Sequence, residues 1–227
     1  MGPADQNGLL AALPSPVYER LAPSLKPVRL DAGESLYDIG STIDHVWFPT
    51  CGMVSLLTNT EAGDIIEVIP IGREGVIGLS GLKRRNDSLY RARVQMSGGA
   101  LRIGVKTLLA VLEEERAWYE FLEYAQALSE QSVQAAVCNQ FHTSEQRLMR
   151  WLLLAQDRVL SSRFHLTHEA LGDVLGISRS IVSGAAGVLQ RRGLISYSRG
   201  WITIQNRERL LATSCECYGI ISRTVNS

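Results

Sequence analysis

The sequence predicts an α+β chain: a strand-rich N-terminal half, one long helix, and a C-terminal helix-turn-helix closed by a small hairpin. Three observations carry this. All seven prolines lie in the first 70 of 227 residues. Neither Gly nor Pro occurs between Val105 and Leu171. Beyond that stretch, Gly176 separates two short segments of helical periodicity between His168 and Gly187. Glycine and proline punctuate turns and are costly inside helices, so the change near residue 105 marks a switch from strands to helices.

In the first half, residues 9–21 read as a helix interrupted by Pro14 and Pro16. Short apolar runs follow at 28–30, 46–48, 53–58, 65–69, 92–96 and 100–103. Turn signals separate them: Ala32-Gly33, Pro49 to Gly52, Glu61-Ala62-Gly63-Asp64 and Ser97-Gly98-Gly99. Many short strands at close spacing predict a small barrel or sandwich.

The second half reads as helices over 105–112, 116–142 and 144–157. In the long helix Phe121, Ala125, Leu128, Ser132, Ala135, Asn139 and His142 recur at alternating spacings of four and three. That is the spacing of a coiled-coil seam. Phe121, Ala125, Leu128, Ser132 and Ala135 are therefore expected to face a second copy of the chain, the alternative being a helix packed within its own chain. Leu148, Trp151, Leu152 and Ala155 repeat at helical spacing and are expected core. The expected divisions are a strand-rich part over 1–115, a long helix over 116–142 that can pair two copies, and a helical part over 143–227.

Composition narrows the function. The chain is 45% apolar with a formal net charge of zero, which excludes a polycation and a highly charged disordered chain. No apolar run approaches the roughly 18 residues of a membrane span. No basic segment leads into a long apolar stretch, so no secretory signal is expected. Gly2 follows Met1, but position 6 is Gln6 rather than Ser or Thr, which breaks the myristoylation pattern. Four cysteines in so long a chain do not resemble a disulfide framework. The expectation is a cytoplasmic protein without a membrane partner.

Charge is unevenly spread. Up to His142 there are 12 Lys/Arg against 17 Asp/Glu, a net of −5. Beyond it there are 11 Arg, no Lys and 6 Asp/Glu, a net of +5. Guanidinium groups pair with phosphate in a bidentate fork, so an Arg-only basic segment suits a nucleic acid. No Gly-rich phosphate loop, nucleophile elbow or paired metal motif occurs. The run Glu113-Glu114-Glu115 suits a helix macrodipole better than catalysis. No catalytic residue is assigned, and the chain is not expected to be an enzyme.

The sharpest signal is the segment 167–187. Thr167 and Ser178 each stand where a side-chain oxygen can cap a helix. Gly172 stands where two helices approach, and Gly176 where a positive φ is needed. Residues 194–198 and 201–205 read as two strands around Arg199-Gly200, a wing able to touch a DNA backbone. Thr167, His168, Ser178, Arg179, Ser180, Ser183, Arg191, Arg192 and Arg199 are the candidate contacts to double-stranded DNA. Arg179 can fork onto guanine O6 and N7, Ser180 and Ser183 can reach bases or phosphates, and Arg191, Arg192 and Arg199 suit phosphates.

With these elements in order, the chain resembles the Crp/Fnr superfamily of bacterial transcription regulators. Gly72-Arg73-Glu74-Gly75-Val76-Ile77-Gly78-Leu79 carries the resemblance in the first half. Leu166 to Gly172, Gly176-Ile177-Ser178-Arg179 and Gly193-Leu194-Ile195 carry it in the second. The resemblance implies a cyclic-nucleotide-binding-like β-roll and a homodimer on a two-fold symmetric operator. A small-molecule effector and, as a candidate partner, RNA polymerase are implied as well. The effector pocket is then expected from Gly78, Leu79, Ser80, Tyr90, Arg91 and Ser132.

The sequence departs from that family's cyclic-AMP binders. They carry a Glu for the ribose where this chain has Leu79, and an Arg-Ser pair for the phosphate that is absent between Ser88 and Arg91. Leucine cannot accept a hydrogen bond, so cyclic AMP is not the expected effector. The family's iron–sulfur sensors carry N-terminal cysteines, and residues 1–50 contain none. The base-reading positions of the cyclic-AMP binders fall on Arg179, Ser180 and Gly184, and Gly184 has no side chain to read with. Gly184 and Gly187 weaken their helix, which is expected to survive by packing tightly on the first helix of the motif. Cys138 and His142 are four residues apart, and Cys215-Glu216-Cys217 adds two thiols. Structural zinc sites usually pair cysteines across two to four residues, so no metal and no cofactor is expected. The competing function is a ligand- or redox-sensing module with weak, non-specific DNA binding.

Overall fold

The computed structural model describes residues 6–83 and 87–226, with side chains to Thr224. Gly2, and with it the N-terminal motif reading, lies outside them. Two helices, α1 (Gly8–Ala12) and α2 (Ser15–Leu21), lead in, separated where Pro14 and Pro16 forbid continuation. Then come β1 (Lys26–Leu30), β2 (Ser35–Tyr37), β3 (His45–Asn59), β4 (Ile65–Ile71) and β5 (Arg91–Gly104). They form an antiparallel-rich sheet in the order β1-β5-β3-β4, with β2 also on β5. The helices α3 (Val105–Glu114), α4 (Tyr119–Phe141) and α5 (Ser144–Val159) follow. The chain ends in β6 (Arg163–His165), α6 (His168–Leu175), α7 (Arg179–Arg191), β7 (Ile195–Ser198), β8 (Trp201–Ile204), α8 (Arg207–Thr213) and α9 (Cys217–Asn226). Among the described residues no helix is long and apolar enough to cross a membrane.

Two pairs of expected strands are each one strand. β3 runs through Pro49 to Gly52, and β5 runs through Ser97-Gly98-Gly99. These glycines allow close approach rather than chain reversal. A Cβ on Gly98 would stand 2.1 Å from the Cys51 carbonyl oxygen, and one on Gly52 2.7 Å from the Met96 carbonyl oxygen. Glycine inside a strand commonly marks such an approach. The strands β2 and β6, three residues each, were not anticipated.

The chain forms two compact units. One holds residues up to Leu56 together with Pro70–Ser129; the other holds Leu57–Ile69 together with everything from Glu130. The division falls inside α4, whereas the sequence places boundaries at 115 and 142.

The first unit has one apolar core. Leu10, Val17, Leu21, Phe48, Leu108, Leu112, Phe121 and Tyr124 are among its buried members. Asn7 is wholly buried and satisfied: its Nδ2 donates to the carbonyls of Pro49 (2.9 Å) and Gly75 (2.8 Å), and its Oδ1 accepts from the Leu10 N–H at 3.0 Å. A buried polar group that completes its hydrogen bonds fixes register at little cost. Gly75 lies against the Tyr124 ring, where a Cβ would stand 2.1 Å from ring atoms.

Phe121 corrects the expected seam. Only 3% exposed, it packs in this core, and Leu128 leans against the same cluster. Phe121 is therefore not free to face a second copy, and Leu128 is half-buried. Beyond Tyr119, the exposed large apolar side chains of α4 are Leu122 (64%), Val133 (63%), Val137 (39%) and Phe141 (77%). Their spacings of eleven, four and four keep one helix face. Ala125, Ser132 and Ala135 are half-buried.

In the second unit α5 is the central helix. Thr143 caps it in a capping box with Gln146. Leu148, Trp151, Leu152 and Ala155 are buried as expected. Trp151 Nε1 donates to Glu67 Oε1 at 2.8 Å, so the buried carboxylate of the β3–β4 hairpin meets the central helix. Arg207 bridges three elements: its guanidinium donates to Gln156 Oε1 (2.7 Å), Asp157 Oδ1 (2.7 Å) and the Tyr218 hydroxyl (2.8 Å). Tyr218 in turn donates to Asp157 Oδ2 at 2.9 Å. This network ties α5, α8 and α9 together.

Candidate nucleic-acid interface

Two short helices and a turn build the candidate interface. Thr167 Oγ1 accepts the Ala170 N–H at 3.1 Å, capping α6. Gly176 ends α6 with φ +61°, a left-handed conformation that a side chain would strain. Ser178 Oγ accepts the Ile181 N–H at 3.4 Å, capping α7. A Cβ on Gly172 would stand 2.8 Å from the Ile177 carbonyl oxygen, so only glycine lets α6 lie this close to the turn. Arg147 of α5 donates to the Leu175 carbonyl, placing a cation where the helix dipole is negative.

The second helix divides its faces cleanly. Val182, Ala185, Ala186 and Leu189 are buried. Arg179, Ser180, Ile181, Ser183 and Gly184 are exposed. A helix held by one apolar face and bare along the other fits the major groove of DNA. A Cβ on Gly184 would meet nothing within 4 Å. The glycine opens the exposed face, and it costs α7 about 1 kcal/mol relative to alanine. Ile181, 47% exposed, is a further candidate contact. A lone isoleucine between Ser180 and Val182 resembles a core residue in sequence, and only the helix phase turns it outward.

Arg191 and Arg192 are exposed where α7 ends. The wing is β7 and β8, paired antiparallel from Ile195↔Ile204 to Ser198↔Trp201. Arg199 (φ +51°) and Gly200 (φ +80°) form its two-residue tip, the positive-φ pair that a tight hairpin requires. A Cβ on Gly200 would stand 2.6 Å from His165 Nε2. β6 completes the sheet against β8, and the Arg163 guanidinium lies 4.5 Å from the centroid of the Trp201 ring. Arg163 and Trp201 are both exposed; no sequence motif selects them.

His168 sits differently from the other candidates. Its ring stacks on Tyr197 with centroids 4.1 Å apart, and Tyr197 donates its hydroxyl to the Leu166 carbonyl at 3.1 Å. His168 Nε2 is buried without a hydrogen-bond partner among the described residues. The ring therefore joins α6 to the wing. Burial lowers its pKa below the ordinary 6.5, and Arg179 adds to the shift. Both effects oppose the imidazolium. On acidification the unfolded chain binds this proton first, so stability is full above 6.5 and falls as the pH drops below it. His168→Phe keeps a ring on Tyr197 and is expected to flatten that decline, measured as unfolding free energy between about pH 7 and 5. An unchanged slope would assign the titration to another group.

A family model described as the Crp-like helix-turn-helix domain matches residues 146–213. This segment is a Crp-like helix-turn-helix domain. Over most of its length the chain is similar in fold to solved Crp/Fnr-type regulators. It is similar to a solved Crp/Fnr-family transcriptional regulator from Eubacterium rectale at 15% identity, covering 92% of this chain and 98% of that one, TM-score 0.67. It is also similar to the c-di-GMP-responsive global regulator CLP of Xanthomonas campestris at 14% identity, covering 85% and 100%, TM-score 0.68. A CRP-family transcriptional regulator from Thermus thermophilus aligns at 17% identity, covering 88% and 97%, TM-score 0.68. No curated protein sequence matches the chain. In the Crp-like domain the candidate residues lie on α6, α7 and the wing, as their spacing implies.

Five of the expected effector residues, Gly78, Leu79, Ser80, Tyr90 and Arg91, lie in the first unit. Gly78 (φ +91°) starts a short 3₁₀ turn over Leu79–Leu82, and a Cβ on it would stand 2.8 Å from the His45 carbonyl oxygen. Leu79 packs against the apolar core of the first unit. Arg91 forms an ion pair with Asp38 through its Nε. Ser80 and Tyr90 are half-buried in the same unit, whereas Ser132 belongs to the other.

Proposed function

We propose that the protein is a homodimeric, sequence-specific DNA-binding transcription regulator whose effector is not cyclic AMP. The bare α7 face is the observation that carries DNA binding: Arg179, Ser180, Ile181 and Ser183 are exposed on a helix anchored by its opposite side. Arg199 at the wing tip and Arg191 and Arg192 supply charge for phosphates. The apolar α4 stripe supports a second copy as partner, since each large apolar side chain removed from water stabilises an interface by about 1.5–3 kcal/mol. Leu79, packed against the core, supports an effector other than a cyclic nucleotide, because its side chain offers no hydrogen-bonding group to a ribose.

Arg179→Ala tests the reading. Losing a bidentate contact is expected to cost about 1–3 kcal/mol at one base position per half-site, with preference elsewhere unchanged. Competition binding with single-base operator variants measures this. A uniform loss across all sequences with a smaller salt slope would make Arg179 a phosphate contact. Binding with no sequence preference and a steep salt slope in the parent protein would favour the non-specific sensing module instead.

A further inference from the structure

The fold gathers four metal-binding side chains that lie up to 79 residues apart in sequence. Cys138 is in the last turn of α4 and His142 follows that helix directly. Cys217 is the first residue of α9, and Cys215 lies two residues before it. One ligand atom from each residue can be chosen so that all four lie within 4.8 Å of one another. Cys138 Sγ is 3.7 Å from Cys215 Sγ, and Cys217 Sγ is 3.4 Å from His142 Nδ1. A tetrahedral zinc ion, with Zn–S about 2.3 Å and Zn–N about 2.0–2.1 Å, requires edges of about 3.8 and 3.6 Å. Two edges thus stand at coordination length, and the longest separation closes by at most about 1 Å.

We propose that Cys138, His142, Cys215 and Cys217 form a closed Cys3His site for a single zinc-class divalent cation. The surroundings are those of a ligand set rather than of three thiols packed as apolar groups. His142 turns Nδ1 to Cys217 while its Nε2 lies 3.4 Å from Glu216 Oε1. A carboxylate on the far nitrogen orients a metal-bound imidazole and raises its basicity. Gln134 Nε2 donates to Cys217 Sγ at 3.0 Å, a hydrogen bond suited to a thiolate. The three cysteines are buried, and with four protein ligands no position stays open, so the site is structural rather than catalytic.

Charge is accounted for. Binding releases three thiol protons to solvent, and three thiolates with a dication leave a net charge of −1. Arg150 is buried, acts electrostatically on Cys138, and its Nε finds no acceptor among the described residues. The ion fastens the start of α9 to the end of α4, where α5 begins. The short Cys215-x-Cys217 spacing, which counted against a metal in the sequence, is completed by a helical pair brought in by the fold.

The test uses the full-length protein, reduced and stripped with a chelator, titrated with Co(II) and then Zn(II). One Co(II) per chain with thiolate charge-transfer and tetrahedral absorption, displaced by one equivalent of Zn(II), is expected. Glu216 has a side chain 69% exposed, so Glu216→Gln leaves folding intact and is expected to weaken binding by about 10–100-fold. Cys217→Ser is expected to weaken it at least as much, and Cys51→Ser, an exposed thiol in β3, not at all. Four reactive thiols with no cobalt–thiolate absorption would overturn the site. So would affinity indifferent to Glu216→Gln and Cys217→Ser, or a Cys138–Cys215 disulfide on exposure to air in a protein that takes up no Co(II) when reduced.

Discussion

Val133→Asp with Val137→Asp is expected to leave a folded monomer that binds operator DNA about 10²–10⁴-fold more weakly than the parent. Both valines are exposed on α4, so the change touches no core. In a dimer it sets carboxylates against carboxylates across an apolar seam, where desolvating each charge is costly. A dimer engages its second half-site intramolecularly, and a monomer loses that advantage entirely. Sedimentation gives the mass and a binding titration the affinity. The paired control is Ala125→Asp, on the seam first expected from spacing. A monomer from the control and a dimer from the double variant would restore the original seam.

Trp151→Ala is expected to lower the unfolding free energy of the second unit by about 3–5 kcal/mol, the cost of emptying a buried aromatic site. Trp151 is 1% exposed and its indole N–H meets the buried Glu67 carboxylate. Trp151→Phe separates the two contributions. It keeps most of the ring volume but withdraws a donor from a buried carboxylate, which costs about 1–3 kcal/mol. Chemical denaturation followed at the α5 unit reads both. Equal losses in the two variants would mean that the hydrogen bond outweighs the packing. A Phe variant as stable as the parent would mean that Glu67 needs no donor from Trp151.

The DNA-binding half was legible because its signals are local. Thr167, Ser178 and Gly176 act within one turn of their own position, so residue type and spacing suffice. Arg199-Gly200 announces a hairpin tip for the same reason. The burial of Phe121 was not legible because α4 carries apolar residues on two faces. Phe121 and Leu128 start one frame, Leu122 and Val133 the other, and small residues fill both. Which frame is covered depends on the core of the first unit, which no helix period reveals. Gly98 and Gly52 looked like turns because glycine marks both reversals and close strand approaches; the partner carbonyl decides, and it lies on a different strand. His168 was placed on DNA by its position at a helix start, whereas Tyr197, 29 residues on, holds its ring. The thiol cluster was illegible for the same reason: Cys138 and Cys215 stand 77 residues apart and meet only in the fold.

The central claim is a dimer that reads two half-sites with α7. Selection of operators from random DNA, with the purified, reduced protein at fixed salt, tests it most directly. The expected result is a two-fold symmetric site with half-sites about 34–36 Å apart, one helical turn, whose symmetry is lost in the Val133→Asp, Val137→Asp variant. Enrichment of an asymmetric site, or of no site while non-specific binding persists with added cell-extract small molecules, would contradict it.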